Sequence, residues 1–272
     1  MIRIFSILIG LFFVLALSVS LGTGAFNAIT DPAAETVEHA FHEHPKELHL
    51  ASDGLFGHFD RPQVQRGFQV YKEVCASCHA LKHVAFRDLS ALGYTEAEIK
   101  KVASEYTVSA PDPLTGEVKD RPGLPADRFP PVVYSGAVGH PPDLSLIAKA
   151  RHDGGAYVYS LLTGYTAQPA ELLRRFPDAK TGKDLHYNPY FANLNLAMAP
   201  PLTSEGQVTY ADGTKATVDQ MAKDVSAFLV WAAEPKLEKR LQTGWPVLIF
   251  LLFATALGYL AYRNVWREQP GH

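Results

Sequence analysis

The chain contains two cysteines, three apart in Cys75-Ala-Ser-Cys78, with His79 directly after them. A Cys-x-x-Cys-His run is the attachment signature of a c-type haem. The two thiols add across the vinyl groups as thioethers, and the adjoining imidazole supplies one axial nitrogen to the iron. Competing chemistries need residues this chain lacks. A structural zinc site takes about four Cys or His ligands, and no second cysteine pair exists. A thioredoxin-like redox pair belongs in a strand–helix–strand setting, which the flanking residues do not offer. The motif therefore predicts one haem c, held covalently through Cys75 and Cys78, with His79 as a metal ligand.

An iron held by one histidine needs a second protein ligand or keeps an open position. The methionines are Met1, Met198 and Met221. Met221 falls on the apolar stripe of a helix, where packing is the expected use. Met198 lies in Asn195-Leu-Ala-Met-Ala-Pro-Pro-Leu202, which has neither helical nor strand period. The diproline stiffens that loop, so a thioether is held in place at low entropic cost. Met198 is the candidate sixth ligand, with a core-filling loop residue as the alternative. His/Met ligation raises the potential over bis-His and closes both axial positions, which suits one-electron transfer. A haem enzyme or sensor with an open or displaceable sixth position remains the other class.

The elements that must position these groups follow from periodicity. Val64, Phe68, Tyr71 and Val74 line one face of a helix from Arg61 to about Val74. Gly67 inside it costs about 1 kcal/mol against alanine and is best tolerated where another backbone comes close. Residues 107–142 are rich in proline and read as a long non-repetitive loop. Residues 143–163 and 168–176 read as short helices, and residues 205–216 as a small hairpin turning at Asp212-Gly213. A last soluble helix follows the N-cap Thr217 and runs from Val218 to Ala233, with Met221, Val225, Phe228, Leu229 and Ala232 on one face.

Both termini are apolar. Residues 1–25 carry Arg3, an uncharged run from Ile4 to Leu21 and small residues up to Ala25. They read as a signal peptide, with an uncleaved N-terminal anchor as the rival. Residues 26–50 form a linker whose His39, His42, His44 and His49 are read as solvated, a metal-binding cluster being the alternative. Residues 51–240 hold the haem domain. Residues 241–263 form a transmembrane anchor, uncharged from Gly244 to Tyr262 and bounded by Trp245 and Trp266. Residues 264–272 are a tail. Basic residues flank both ends of the anchor, so charge asymmetry does not orient it. Haem attachment on the outer side of a bacterial inner membrane places the haem domain in the periplasm and the tail in the cytoplasm. A formal net charge of −3 gives no reason to expect nucleic acid. Acidic residues at 95–104 and 112–120 form either an acidic docking surface or scattered surface charge.

Four stretches resemble the cytochrome c1 family, the haem subunit of the quinol:cytochrome c oxidoreductase (cytochrome bc1 complex). They are FGHFDRPQVQRGFQVYKEVCASCHAL (56–81), PPDLSLIAKARHDGGAYVYSLLTGY (141–165), YNPYFANLNLAMAPPL (187–202) and DGTKATVDQMAKDVSAFLVWAAEPKLEKR (212–240). The resemblance implies a mostly α, class I cytochrome c-like haem domain with loop insertions and a small β-hairpin, plus a C-terminal transmembrane helix. The helix around Gly67-Phe68 should then cross the last soluble helix near Phe228–Trp231. Met198 becomes the sixth ligand, Arg151 the partner of a haem propionate, and Tyr157 a residue lining the pocket. Pro142 or its neighbour would offer a carbonyl to the ring N–H of His79. A guanidinium fork does match a carboxylate, although Arg151 also reads as a surface residue beside Lys149. The implied partners are cytochrome b, the Rieske iron–sulfur protein and cytochrome c, in a dimeric membrane complex that owns the catalytic activity. Two departures stand out: the segment between Pro131 and Pro141 is short, and no cysteines remain for an extra disulfide near the methionine loop.

Overall fold

The computed structural model describes residues 2–31, 34–112, 115–132, 134 and 140–267, and the chain divides into two compact units, Met1–His42 and Glu43–His272. In the first unit, α1 (Ile2–Thr30) has no buried residue, and its most apolar window reaches a mean hydropathy of 2.7. It passes through Ala25 without a break, a form that suits an export signal and an anchor alike. The short α2 (Val37–Phe41) is capped by Thr36, which accepts from His39 N–H. Among the described residues, no three His, Cys, Asp or Glu side chains gather to hold a metal.

The second unit is built around two crossing helices. In α3 (Arg61–Val70), the Asp60 carboxylate caps the first turn by accepting from Gln63 N–H at 3.3 Å, and Pro62 suits that turn because its missing donor is not needed there. Val64 and Phe68 face inward. The regular helix does not continue to Val74. Residues Tyr71–Cys75 widen into a π turn, closed by Ala76 N–H on the Tyr71 carbonyl at 2.8 Å. The extra residue in that turn keeps Tyr71 buried while Val74 is only half-buried.

A 3₁₀ stretch, Phe86–Leu92, and α4 (Glu96–Ser104) follow. Thr95 and Glu98 close a reciprocal capping box at the start of α4. The proline-rich region then departs from its reading as pure loop. Strands β1 (Thr107–Pro111) and β2 (Val118–Pro122) pair antiparallel, with Thr107 opposite Pro122 and Pro111 opposite Val118. Both prolines sit at the ends of this two-stranded ribbon, where a missing N–H does not interrupt the ladder. This is the small hairpin, and it lies at 107–122 rather than at 205–216. Around Asp212-Gly213 a turn does form, with Gly213 at φ +77°, but Asp212 is drawn to Arg66 at 2.8 Å and no ladder develops. The shortened segment between Pro131 and Pro141 falls mostly outside the described residues.

Three short helices, α5 (Ile147–Ala150), α6 (Gly154–Thr163) and α7 (Ala170–Arg175), occupy the regions read as helical, and β3 (His186–Tyr187) pairs with β4 (Asn195–Leu196). Next comes α8 (Val218–Ala233), capped by Thr217 on Gln220 N–H at 3.0 Å. Met221, Val225, Phe228, Leu229 and Ala232 are all buried. Finally α9 (Leu237–Trp266) is a 30-residue helix whose apolar window is wholly exposed. It begins four residues before the anchor boundary read from hydropathy, so its charged first turn is continuous with the apolar part. Glu234 braces this junction through Lys149 at 2.7 Å and through Arg240. Those hydrogen bonds and charges hold its carboxyl below the ordinary value.

Helix α3 crosses α8 at Gly67. A Cβ there would lie 2.0 Å from the Asp224 carbonyl oxygen and 2.7 Å from Phe228 Cβ. Phe68 and Tyr71 pack on Phe228, with ring centroids 5.5 and 5.6 Å apart, and Trp231 stacks beyond it. At the same crossing, the fully buried Asp224 carboxylate accepts from Arg66 Nε at 2.9 Å and from Gln220 Nε2 at 2.8 Å. A Gly67→Ala variant should force the helices apart and destabilise the domain by about 3 kcal/mol or more, measured by denaturant unfolding. Near-native stability would show that the crossing has room to relax.

Candidate haem site

The π turn delivers Cys75 to the edge of the core, and a tight turn carries the chain on to the imidazole. Cys78 N–H and His79 N–H both donate to the Cys75 carbonyl, at 3.1 and 2.9 Å. Tyr71 reaches forward from the buried face and donates its hydroxyl to the His79 carbonyl at 2.9 Å. Both thiols are half-buried and free. Burial, with Cys78 adding to it, pushes the Cys75 thiol up to about 12, so near neutral pH this sulfur is a protonated thiol.

His79 is oriented by a backbone partner. Its Nδ1 lies 2.8 Å from the Pro142 carbonyl oxygen. A carbonyl only accepts, so Nδ1 carries the proton and Nε2 keeps its lone pair for a metal. The Pro142 segment is itself stitched to the motif. Leu144 N–H donates to the Ala80 carbonyl at 2.9 Å. Asp143 accepts from Lys82 N–H at 2.9 Å and from Ser145 N–H at 3.0 Å. The buried Ser145 hydroxyl accepts from His83 N–H at 3.0 Å. Sequence reasoning singled out the prolines and passed over Asp143 and Ser145. The available signal was a short polar pair directly after a diproline, the residue types that bond to nearby backbone.

Met198 is half-buried in an irregular loop after β4. Its carbonyl accepts from the Tyr165 hydroxyl at 3.0 Å. Burial, with a smaller contribution from Tyr157, moves the Tyr165 phenol upward, so this hydroxyl stays a donor over the physiological range. Tyr165, a residue that sequence reasoning did not single out, thus ties the Met198 loop to the end of α6. Leu194, four residues before Met198, takes a left-handed conformation at φ +63° while remaining buried. Arg151 is exposed after α5, and its Nη1 donates to the neighbouring Ala150 carbonyl at 3.2 Å. It has no carboxylate partner among the described residues.

The donors present fit a c-type haem: two unpaired thiols at the required spacing, an imidazole with its far nitrogen free, and a thioether on a tethered loop. The acidic residues at 95–104 and 112–120, read as either a docking surface or scattered surface charge, have local partners. Glu96 pairs with Lys100 at 2.7 Å and Glu117 with Lys119 at 3.1 Å. Glu98 is spent on its cap and Asp120 accepts from Ser109.

The model of the Cytochrome C1 family matches residues 50–269. The chain is 44% identical to a cytochrome c1 of Rhodospirillum rubrum over 79% of its own length and 85% of the relative's. It is 42% identical to a mitochondrial cytochrome c1 haem protein of Arabidopsis thaliana, over 89% of this chain and 78% of that one. A Candida albicans protein named cytochrome b-c1 complex catalytic subunit is 39% identical, over 88% and 83% of the two chains. The match begins just before the loop that leads into α3, takes in the Cys75–His79 motif, the Pro142 segment and the Met198 loop, and runs through α9. By these residues and by this likeness, the chain belongs to the cytochrome c1 family.

Proposed function

We propose that this chain is the electron-transfer subunit of a quinol:cytochrome c oxidoreductase, passing single electrons from the Rieske iron–sulfur protein to cytochrome c. The observation that carries the reading is the 2.8 Å bond from His79 Nδ1 to the Pro142 carbonyl, next to the cysteine pair in a chain of this family. Cys75 and Cys78 would hold a haem c as thioethers, with His79 Nε2 and the Met198 sulfur as axial ligands. A haem bound there supplies one-electron exchange between ferric and ferrous iron.

The protein's own groups set the terms of that exchange. Donation from Nδ1 to a carbonyl raises the basicity of Nε2 and fixes the ring plane. Tyr71 holds the His79 backbone and Tyr165 holds the Met198 backbone, so the two ligand-bearing segments are tied by donors that do not themselves coordinate. Arg151 would pair with a propionate, and Tyr157 would line the pocket beside Tyr165. Helix α9 is the membrane anchor. The haem domain would face the periplasm of a bacterial inner membrane, in a dimeric complex with cytochrome b. Quinol oxidation belongs to that complex.

Three outcomes test this reading. A denaturing gel stained for haem should show the cofactor migrating with the polypeptide, and Cys75→Ala combined with Cys78→Ala should abolish the stain. Replacing Met198 with Leu should remove the sulfur-to-iron charge-transfer band, lower the midpoint potential and let the ferrous protein bind carbon monoxide. An unchanged spectrum would remove Met198 from the ligand set. Asp143→Ala should cost about 1 kcal/mol of stability. By loosening the Pro142 carbonyl it should also make Nε2 less basic and raise the midpoint potential, read by redox titration.

A further inference from the structure

Resting on the reading of α9 as a membrane anchor, we infer that the loop Gly54–Gly57 is a second membrane contact, seating Leu55 and Phe56 in the lipid interface beside Trp245. Leu55 is 66% and Phe56 81% exposed. Phe56 is not a stray surface residue. Its ring stacks on Trp245 of α9, with centroids 5.6 Å apart and planes 13° from parallel. Trp245 marks the level at which α9 changes character, since Lys239 and Arg240 precede it and no charge follows until Arg263. An indole at such a boundary sits among lipid headgroups, and a ring stacked flat upon it lies at the same depth.

The loop is built to keep that position. Its base is closed by His58 N–H on the Ala51 carbonyl at 2.9 Å and by the Asp53 carboxylate accepting from Leu50 N–H at 2.8 Å. Gly54 takes φ +79°, a backbone conformation that favours glycine, and a Cβ on Gly57 would lie 2.1 Å from the Ser52 carbonyl oxygen, so a side chain at Gly57 would block the turn. The chain leaving the loop is clamped to the anchor itself. Glu238 in the first turn of α9 accepts from Phe59 N–H at 2.8 Å and pairs with Arg61 at 3.8 Å. The apolar tip therefore cannot swing away from α9 without breaking bonds that lead into α3.

The occupant is lipid rather than a protein groove. Two side chains on a four-residue tip suit the shallow insertion of an interfacial contact, about 5–10 Å deep. A stable protein interface needs on the order of 1,000 Å² or more. Lys239 precedes Trp245 on α9 and adds a basic group on the headgroup side of the stack, where phosphates lie. The contact would set the height and tilt of the haem domain above the bilayer, through two points instead of one.

The test uses the haem-loaded full chain in its complex, reconstituted in phospholipid nanodiscs, with a benzophenone amino acid at position 56 or, separately, at position 251. After illumination the chain is examined by mass spectrometry. The expected result is a phospholipid adduct at 56, with lipid or membrane-subunit adducts at 251. An adduct at 56 to another polypeptide, or no adduct there, overturns the lipid contact while labelling at 251 upholds the anchor. No adduct at 251 overturns the anchor reading itself.

Discussion

The rest of this structure depends on the contact of one backbone with another at Gly67. Helix α3 can lie against α8 at that separation because no side chain stands between them. The aromatic cluster of Phe68, Tyr71, Phe129, Phe228 and Trp231 then packs around the crossing. Helix α3 runs without interruption into the π turn that ends at Cys75, so the position of α8 determines where the cysteine motif emerges. The weak intrinsic preference of glycine for helix, about 1 kcal/mol, is outweighed by a contact that a larger residue would forbid.

The buried ion pair at the same crossing adds direction. Asp224 has no solvent exposure, and Arg66 satisfies it from two nitrogens while also reaching Asp212. Such a pair contributes little net stability over a well-packed apolar alternative, yet removing one partner leaves an uncompensated buried charge. Its value here lies in register. Sliding α3 along α8 by one turn would separate these groups while leaving much of the apolar surface buried, so the pair penalises a misplacement that packing alone would tolerate. The same guanidinium draws the segment at 205–216 toward α3, because Asp212 gains a charged partner in Arg66.

Much of this arrangement was legible in the sequence because it is written in side chains with strong local rules. The stripe of α8 with its Thr217 cap and the irregular backbone around Met198 both follow the local reading. The π turn was not legible, since Tyr71 and Val74 fit an ordinary helical stripe and nothing in the residue types signals an extra residue in the turn. The hairpin was misplaced for a related reason. Prolines argue against a strand interior, but Pro111 and Pro122 pair at ribbon ends where the rule does not apply. Asp212-Gly213 carries strong turn chemistry, and a turn alone does not commit its flanks to pairing.

The parts of the candidate site least visible in sequence share one property: they act through main-chain carbonyls. Pro142, His79 and Met198 each present a carbonyl oxygen to a side-chain donor, namely the His79 ring, Tyr71 and Tyr165. A carbonyl is common to every residue type, so its use leaves no mark on the residue that bears it. The mark falls instead on the groups that aim the carbonyl, such as Asp143 and Ser145 stitching the Pro142 segment to residues 82 and 83. A proline preceding them donates no hydrogen bond and restrains its own backbone, so the carbonyl's direction follows from where these two side chains pin the chain. Substitutions at such aiming positions should therefore alter the electronic character of the proposed haem site while the proposed ligands all remain in place.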